Sequence, residues 1–256
     1  MRREQSQQSA RAERDRHPVK KPIGSLFLVG VPIGHPDDIT LRALGILGTV
    51  DIVATEAALA TQSLLRHHNL SPHLTSYGPT RIKEKVAVLI DRLEQGASVA
   101  LVSDCGSPVI SDPGSLLVAA AHKHNIPVRS FPGPSAVTAA IAASGFPAEA
   151  FHFYGDITTR NGPDRRLNCI LAHAEPSILF CQTESCLKIL KDIAKRAPRR
   201  RVALACDLTL PEETILRGTV RHISELLERI QLPQELTIIV DGRKPVTAKA
   251  RNRARS

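Results

Sequence analysis

The strongest constraint on the fold is a short, continuously apolar run that recurs along the chain and ends in a turn of glycine, proline and small polar residues. Residues 25–30, 98–103 and 127–131 are such runs. Runs of this length and composition are typical of strands buried on both faces of a sheet. The segments between them carry apolar residues at helical spacing, as in residues 81–95. Strands that alternate with helices require right-handed crossovers and predict a mainly parallel sheet.

The second half of the chain has a similar but less regular pattern. Two amphipathic segments, residues 184–196 and 220–230, predict helices. Four apolar runs surround them and predict strands, at residues 151–155, 177–181, 201–206 and 236–241. This order of elements is compatible with a sheet that is partly antiparallel.

A turn of Gly145, Phe146 and Pro147 separates the two halves. We therefore expect an α/β protein of two domains. The first domain, residues 23–147, is predicted to have a mainly parallel sheet, and the second, residues 148–242, a mixed sheet.

The charge of the chain is concentrated at its ends. The net charge is +9, of which residues 1–21 carry +4 and residues 243–256 carry +6, so the body between them is nearly neutral. Both ends are polar and lack an apolar pattern, which predicts a disordered basic arm over 1–22 and a disordered basic tail over 243–256. Such tails are either solvated or in contact with a polyanion such as RNA, and both alternatives stay open.

Composition excludes several classes of protein. Aromatic residues make up 3% of the chain and tryptophan is absent, which disfavours a protein that grips single strands by base stacking. No apolar stretch is long enough to span a bilayer, so we expect a cytoplasmic protein with no membrane partner. The five cysteines are odd in number and form no CxxC pair, so neither a disulfide framework, a zinc site nor any other bound metal is expected.

The chemistry is expected where the strands end, because ligands of open parallel sheets bind at the carboxyl ends of the strands. Turns with Gly, Pro, Asp or Ser follow Gly30, Ser103, Phe131 and, less clearly, Cys206. Glycine allows close approach of the backbone to a ligand, and Asp or Ser supplies polar contacts. The sequence contains no Walker motif, G-x-G-x-x-G, G-x-S-x-G or H-E-x-x-H.

Taken together, these turns resemble a known family. The segments that carry the resemblance are Val29-Gly-Val-Pro-Ile-Gly, Asp38-Ile-Thr-Leu-Arg-Ala-Leu44, Val50-Asp-Ile-Val-Ala-Thr-Glu56, Leu101-Val-Ser-Asp-Cys-Gly-Ser-Pro-Val-Ile-Ser-Asp-Pro-Gly114 and Phe131-Pro-Gly-Pro-Ser135. They are similar to the tetrapyrrole methylase superfamily, and within it to the branch called ribosomal RNA small subunit methyltransferase I. The resemblance runs in order over residues 25–242 and is stronger in the first half.

The resemblance implies a two-domain α/β methyltransferase, usually a homodimer, with S-adenosylmethionine bound between the domains. It implies that the substrate is 16S ribosomal RNA in the small ribosomal subunit, methylated at a cytidine ribose 2′-hydroxyl. Relatives hold the methyl donor largely through backbone groups. The matching positions here are Pro32, Ser103, Asp104, Cys105, Gly106, Ser107, Pro108, Ser135, Ala136, Phe180, Cys181, Ala205 and Thr237.

Methyl transfer to a hydroxyl needs alignment of the reacting atoms and benefits from a base, because a ribose hydroxyl is a poor nucleophile. The candidate carboxylates are Glu56, Asp104 and Asp112. Asp112 precedes Pro-Gly and is expected to cap the following helix. Asp104 is expected to fix its own turn and the donor pocket. Glu56, at the end of a predicted strand, is the preferred catalytic candidate.

Several segments depart from the pattern of that branch. Where the branch usually has Glu-Asp-Thr-Arg, this chain has Glu56-Ala-Ala-Leu59, and a His-x-His-Asn segment is replaced near residues 76–80. The lost Arg and His side chains would contact phosphate or handle protons. Three functions therefore stay open: the RNA 2′-O-methyltransferase, a divergent methyltransferase acting on a tetrapyrrole or other small molecule, and a weakly catalytic RNA-binding relative.

Overall fold

The computed structural model describes residues 23–157, 163–230 and 233–243, which form two α/β sheets. The first sheet has five strands in the order β3-β2-β4-β1-β5, and all of its pairings are parallel. The strands are β1 Leu26–Val29, β2 Ile52–Thr55, β3 Leu74–Ser76, β4 Val99–Val102 and β5 Val128–Phe131. The prediction of a mainly parallel first sheet is confirmed. The short edge strand β3 was not predicted.

Helices connect the parallel strands and cover both faces of this sheet. They are α1 Leu41–Leu47, α2 Ala58–His67, α3 Ile82–Glu94 and α4 Ser115–Lys123, and a fifth helix, α5 Ala136–Ser144, follows β5. The central strand β4 is buried at every residue. Val99 and Leu101 pack into one core and Ala100 and Val102 into the other, which is the alternation of side chains that a pleated strand imposes.

A threonine, and not one of the two preceding aspartates, caps α1. Residues Pro36–Asp38 form a separate 3-10 turn. The α-helix begins after Thr40, whose hydroxyl oxygen accepts a hydrogen bond from the Ala43 N–H at 3.1 Å. A threonine hydroxyl satisfies a free N–H of the first helical turn as an aspartate would.

The second sheet is mixed, as predicted. Its order is β6-β7-β10-β8-β9, with β6 and β7 parallel and the other pairs antiparallel. The strands are β6 His152–Asp156, β7 Ser177–Phe180, β8 Arg201–Cys206, β9 Thr214–Thr219 and β10 Leu236–Val240. The helices are α6 Pro163–Ala172, α7 Thr183–Arg196 and α8 Val220–Leu227. The edge strand β9 and helix α6 were not predicted, because polar residues dilute their apolar pattern.

Helix α5 joins the two sheets. It follows β5 of the first sheet, yet Val137, Ala140 and Ile141 pack against Ala203 of β8 and Ile239 of β10 in the second. The other faces of β8 and β10 pack against α7 and α8. The domain boundary predicted at residue 147 comes just after this shared helix.

Among the described residues, no helix is both long and apolar enough to cross a membrane. The arm over 1–22 and most of the tail over 243–256 lie outside the described residues. All five cysteines are free thiols.

The turns after β1 and β5 touch through two glycines. A Cβ added to Gly133 would lie 2.8 Å from the Gly30 carbonyl oxygen, whereas one added to Gly45 in α1 would meet no atom within 4 Å. We expect Gly133→Ala to lower stability by ~1–3 kcal/mol through overpacking. Gly45→Ala, the matched control, should raise it by ~0.5–1 kcal/mol through helix propensity. Thermal unfolding of both variants tests this, and equal melting temperatures would contradict the close contact.

Candidate functional site

The turns after β1 and β4 are bonded to each other. The Val31 N–H donates to the Gly106 carbonyl oxygen at 2.9 Å, and the Gly106 N–H donates to that of Pro32 at 3.2 Å. The buried Ser103 hydroxyl donates within the same turn, 3.1 Å from the Gly106 oxygen. Gly106 has φ +72°, a conformation that glycine adopts without strain. Pro32, Ser103 and Gly106 therefore shape the loop.

The loop that follows β4 is strained. Val109 has φ +77° and Ser111 has φ +64°, and left-handed backbone is unfavourable for residues with a Cβ, above all for β-branched valine. Ser111 also lies against β6 of the second sheet, since a Cβ on Gly155 would come within 2.5 Å of the Ser111 hydroxyl oxygen. Strain that the surrounding structure enforces is concentrated at functional sites, so this loop is a candidate.

A cleft of about 850 Å³ lies between the two sheets, next to this loop. The first half of the chain contributes Ile33, Asp104, Cys105, Ile110, Ser111, Asp112 and Ala136 to its walls. The second half contributes Asp156, Phe180, Cys181, Gln182, Thr183, Glu184, Ala205, Leu208, Gln234, Glu235, Leu236 and Thr237. The cleft is thus formed at the carboxyl edge of the first sheet and is closed by the second.

The floor of the cleft is a row across three neighbouring strands. Thr237 of β10 pairs with Phe180 of β7 on one side and with Ala205 of β8 on the other. Leu204, Cys206 and Ile238, which alternate with them, face the opposite core. Pleating therefore places all three predicted contact residues on one surface.

The predicted donor-contact residues divide into two groups. Those that line the cleft are Asp104, Cys105, Ala136, Phe180, Cys181, Ala205 and Thr237. Those that lie behind or beside it, in the bonded turns or at the start of α5, are Pro32, Ser103, Gly106, Ser107, Pro108 and Ser135. Their backbone groups remain candidate contacts.

The cleft is strongly acidic. Asp104, Asp112, Asp156, Glu184 and Glu235 line it, and no Lys, Arg or His does so among the described residues. Burial raises the pKa of Asp112 to about 6, and the nearby charges of Asp104 and Glu56 add to this effect. Burial, followed by the charge of Asp207, also raises the pKa of Glu235. Crowded carboxylates of this kind favour a cationic ligand.

Asp112 and Glu56 occupy different positions around the loop. Asp112 borders both the cleft and a narrow gap behind the loop, whereas Glu56 borders only that gap. Burial and the charge of Asp104 raise the pKa of Glu56, and Lys85 opposes them. The expectation that Asp112 caps the next helix is wrong, because α4 has Gly114 as its N-cap and no side-chain cap.

Sequence reasoning missed the second-domain residues Gln182, Glu184, Gln234 and Glu235. They follow β7 or precede β10, and no glycine-proline turn distinguishes those segments. Their position next to a strand end was the only available signal. It became informative once the strand order was known.

The family model for Tetrapyrrole (Corrin/Porphyrin) Methylases matches residues 25–224. The chain belongs to this family. Curated relatives of this chain include proteins named ribosomal RNA small subunit methyltransferase I. The one from Thermotoga maritima is 34% identical and is matched over 87% of this chain and 100% of its own length. The one from Mesorhizobium japonicum is 36% identical, with coverages of 91% and 79%.

Solved structures of tetrapyrrole methylases share the fold. The cobalt precorrin-4 methyltransferase CbiF superposes with a TM-score of 0.66 at 21% identity, covering 85% of this chain and 94% of that one. The uroporphyrin-III C-methyltransferase of Thermus thermophilus, solved with S-adenosylhomocysteine, has a TM-score of 0.61 at 20% identity, covering 84% and 97%.

The raised pKa of Asp112 predicts how its loss affects stability. A carboxylate whose pKa is higher in the folded than in the unfolded state destabilises the fold above that pKa, and the penalty disappears as the pH falls below both values. Asp112→Asn should therefore stabilise this tetrapyrrole methylase at pH 7, by ~1–2 kcal/mol after allowing for solvent screening. The gain should vanish at about pH 3, below both pKa values.

Denaturant titrations at both pH values would measure this effect. The control is Glu149→Gln, which removes an exposed carboxylate away from the cleft. Destabilisation by Asp112→Asn at pH 7 would contradict the assignment of Asp112 as a desolvated carboxylate.

Proposed function

We propose that this protein is an S-adenosylmethionine-dependent methyltransferase that modifies 16S ribosomal RNA at a cytidine ribose 2′-hydroxyl. The observation that carries the proposal is the acidic cleft that both sheets line. Relatives at 34–36% identity that bear the name ribosomal RNA small subunit methyltransferase I support the choice of acceptor.

S-adenosylmethionine is the methyl donor, and the cleft suits it. When bound, it supplies an electrophilic methyl group on a positively charged sulfonium. A cleft of about 850 Å³ falls within the range of small-molecule sites. The carboxylates of Asp104, Asp112 and Glu235 provide a negative field for a cation. Apolar walls at Phe180, Ala205 and Leu208 provide a surface for the uncharged part of the ligand.

Asp112 is better placed than Glu56 to act as the base. It borders the cleft, and a pKa of about 6 leaves it ionised at neutral pH yet more basic than an ordinary aspartate. The donor would supply the methyl group and keep the electron pair of the broken carbon–sulfur bond, and the Asp112 carboxylate would take the proton from the acceptor hydroxyl. Glu56 acts as a positioning residue, since its charge contributes to the raised pKa of Asp112.

The pH dependence of methyl transfer tests these roles. The rate should fall as the pH drops below about 6, because protonated Asp112 accepts no proton. Asp112→Asn should lower kcat by ~100-fold or more, with a smaller loss of donor affinity, because Asp104 and Glu235 still line the cleft. Glu56→Gln should keep most of the activity and move the acidic limb to lower pH. A Glu56→Gln variant as inactive as Asp112→Asn would make Glu56 the base.

Transfer of a labelled methyl group to 16S ribosomal RNA tests the acceptor. A second candidate is a methyltransferase acting on a small molecule, and the absence of basic side chains among the described cleft residues favours it. Labelling of 16S RNA, with the label on a cytidine ribose, is the expected result. Donor binding without labelled RNA, but with labelled tetrapyrrole, would replace the proposal with the second candidate.

The active form of the enzyme is a cytoplasmic homodimer. Exposed apolar side chains support this state, because Leu41, Leu59, Ile110 and Leu116 all follow carboxyl ends of strands in the first sheet. Leu41 and Leu59 stand at the starts of α1 and α2, which pack into the same core, so these two side chains lie on one face of the sheet near its carboxyl edge. Apolar groups gathered on one surface are typical of an interface.

Charged substitutions test the dimer. Leu41 and Leu59 are 87% and 84% exposed. We expect Leu41→Glu/Leu59→Glu to sediment as a monomer, because two carboxylates would be buried in each half of the interface. The control is Val88→Glu on α3, which is 60% exposed and should stay dimeric. A monomeric wild-type protein would contradict the proposal.

A further inference from the structure

A basic pocket of about 370 Å³ lies at the other end of the second sheet from the cleft. Its walls are Arg199, Arg200, Arg201, Asp241, Gly242 and Arg243. β8 begins at Arg201 and the antiparallel β10 ends at Val240, so the turn before β8 meets the segment after β10. Ala205, which lines the cleft, is four positions after Arg201 on β8, which places the two residues about 13 Å apart along the strand. The pocket is therefore a separate site.

Backbone carbonyls hold the innermost arginine in place. Arg200 donates from Nη1 to the Asp241 carbonyl oxygen at 2.8 Å and from Nη2 to the Leu171 carbonyl oxygen at 2.7 Å. These acceptors are neutral, so they orient the guanidinium without cancelling its charge. Burial lowers the pKa of Arg200 and the charge of Arg243 adds to this, while Asp241 opposes both.

The only carboxylate lining the pocket among the described residues already has partners. Asp241 Oδ2 accepts from Arg201 Nε at 2.7 Å, and its Oδ1 accepts from the Gly242 N–H at 2.9 Å. One carboxylate thus faces four guanidinium groups. The excess positive charge is suited to phosphate, which guanidinium groups bind through paired hydrogen bonds.

The backbone places Arg243 at the pocket. The Arg243 N–H donates to the His173 carbonyl oxygen at 2.7 Å. Gly242 allows this approach, because a Cβ there would lie 1.7 Å from the Ala174 carbonyl oxygen. In the sequence, five Lys and Arg residues and no acidic residue follow Arg243. A run of cations continuing from the pocket favours a ligand with many phosphates over a single one.

We propose that this pocket binds the phosphate backbone of the RNA acceptor and anchors it at a distance from the cleft. The inference rests on the proposed function and extends it. The cleft itself is acidic and repels phosphates, so the attraction for RNA has to come from another surface. Because the pocket lies away from the reacting atoms, it contributes to RNA affinity and leaves the chemical step unchanged.

The test uses Arg199 and Arg243, two exposed arginines of the pocket, and spares Arg200 and Arg201, whose side chains bond to Asp241. Binding of a 16S RNA fragment to Arg199→Gln/Arg243→Gln is measured at several salt concentrations. We expect affinity at low salt to fall ~10-fold or more. The slope of log K against log salt should flatten by about 1.4, for two lost contacts to single-stranded RNA.

The control is Lys83→Gln/Arg129→Gln, which removes the same charge from exposed positions of the first sheet and α3. This control variant should keep the wild-type slope of log K against log salt. In methyl transfer to RNA, the loss in the pocket variant should appear in KM and not in kcat. Titration with S-adenosylhomocysteine should give the wild-type affinity, which shows that the cleft is intact.

Three results would overturn the inference. The first is an unchanged RNA affinity of the pocket variant, and the second is an equal loss in the control, which would indicate only net charge. The third is binding of inorganic phosphate that the pocket variant loses while RNA affinity stays the same, which would indicate a small phosphorylated ligand. A wild-type protein that binds RNA through the pocket but methylates none would refute the proposed function and leave the pocket assignment standing.

Discussion

The packing of α5 against the second sheet is the contact on which the site depends. The helix leaves the first sheet through the Gly133 turn and buries Val137 and Ile141 against β8 and β10. Small side chains at Ala203 and Ala205 let it approach closely. Because α5 follows directly from β5 of the first sheet and packs into a core of the second, the strained loop after β4 is held opposite Phe180 and Thr237. A larger side chain at Ala205 would both occupy part of the cleft and push α5 away from β8.

The distribution of charge divides the molecule into two regions. Carboxylates crowd the cleft, where burial keeps the pKa of Asp112 near 6. Guanidinium groups gather at the opposite end of β8, and Arg243, one of them, begins the basic run of the sequence. A cationic donor and a polyanionic acceptor would thus each meet a field of opposite sign. A nearly neutral body can therefore still attract RNA, which total charge alone does not show.

Local pattern was enough to predict most of the fold. The apolar runs that became β1, β4 and β5 are continuous, and their Gly-Pro turns are rigid, so both strand positions and the parallel sheet followed. The edge strands β3 and β9 were not predicted, because half-exposed strands carry no continuous apolar run. The roles of Asp112 and Glu235 depend on tertiary burial and on neighbours distant in sequence, which spacing does not encode.

Both sheets line one ligand-binding cleft. Hydrogen–deuterium exchange with and without S-adenosylhomocysteine tests it most directly, because it reports where protection occurs. We expect simultaneous protection in the loop after β4, in the segment after β7 and in the segment that enters β10, at residues 103–114, 181–184 and 234–237. Protection confined to one domain, or located away from these segments, would contradict it.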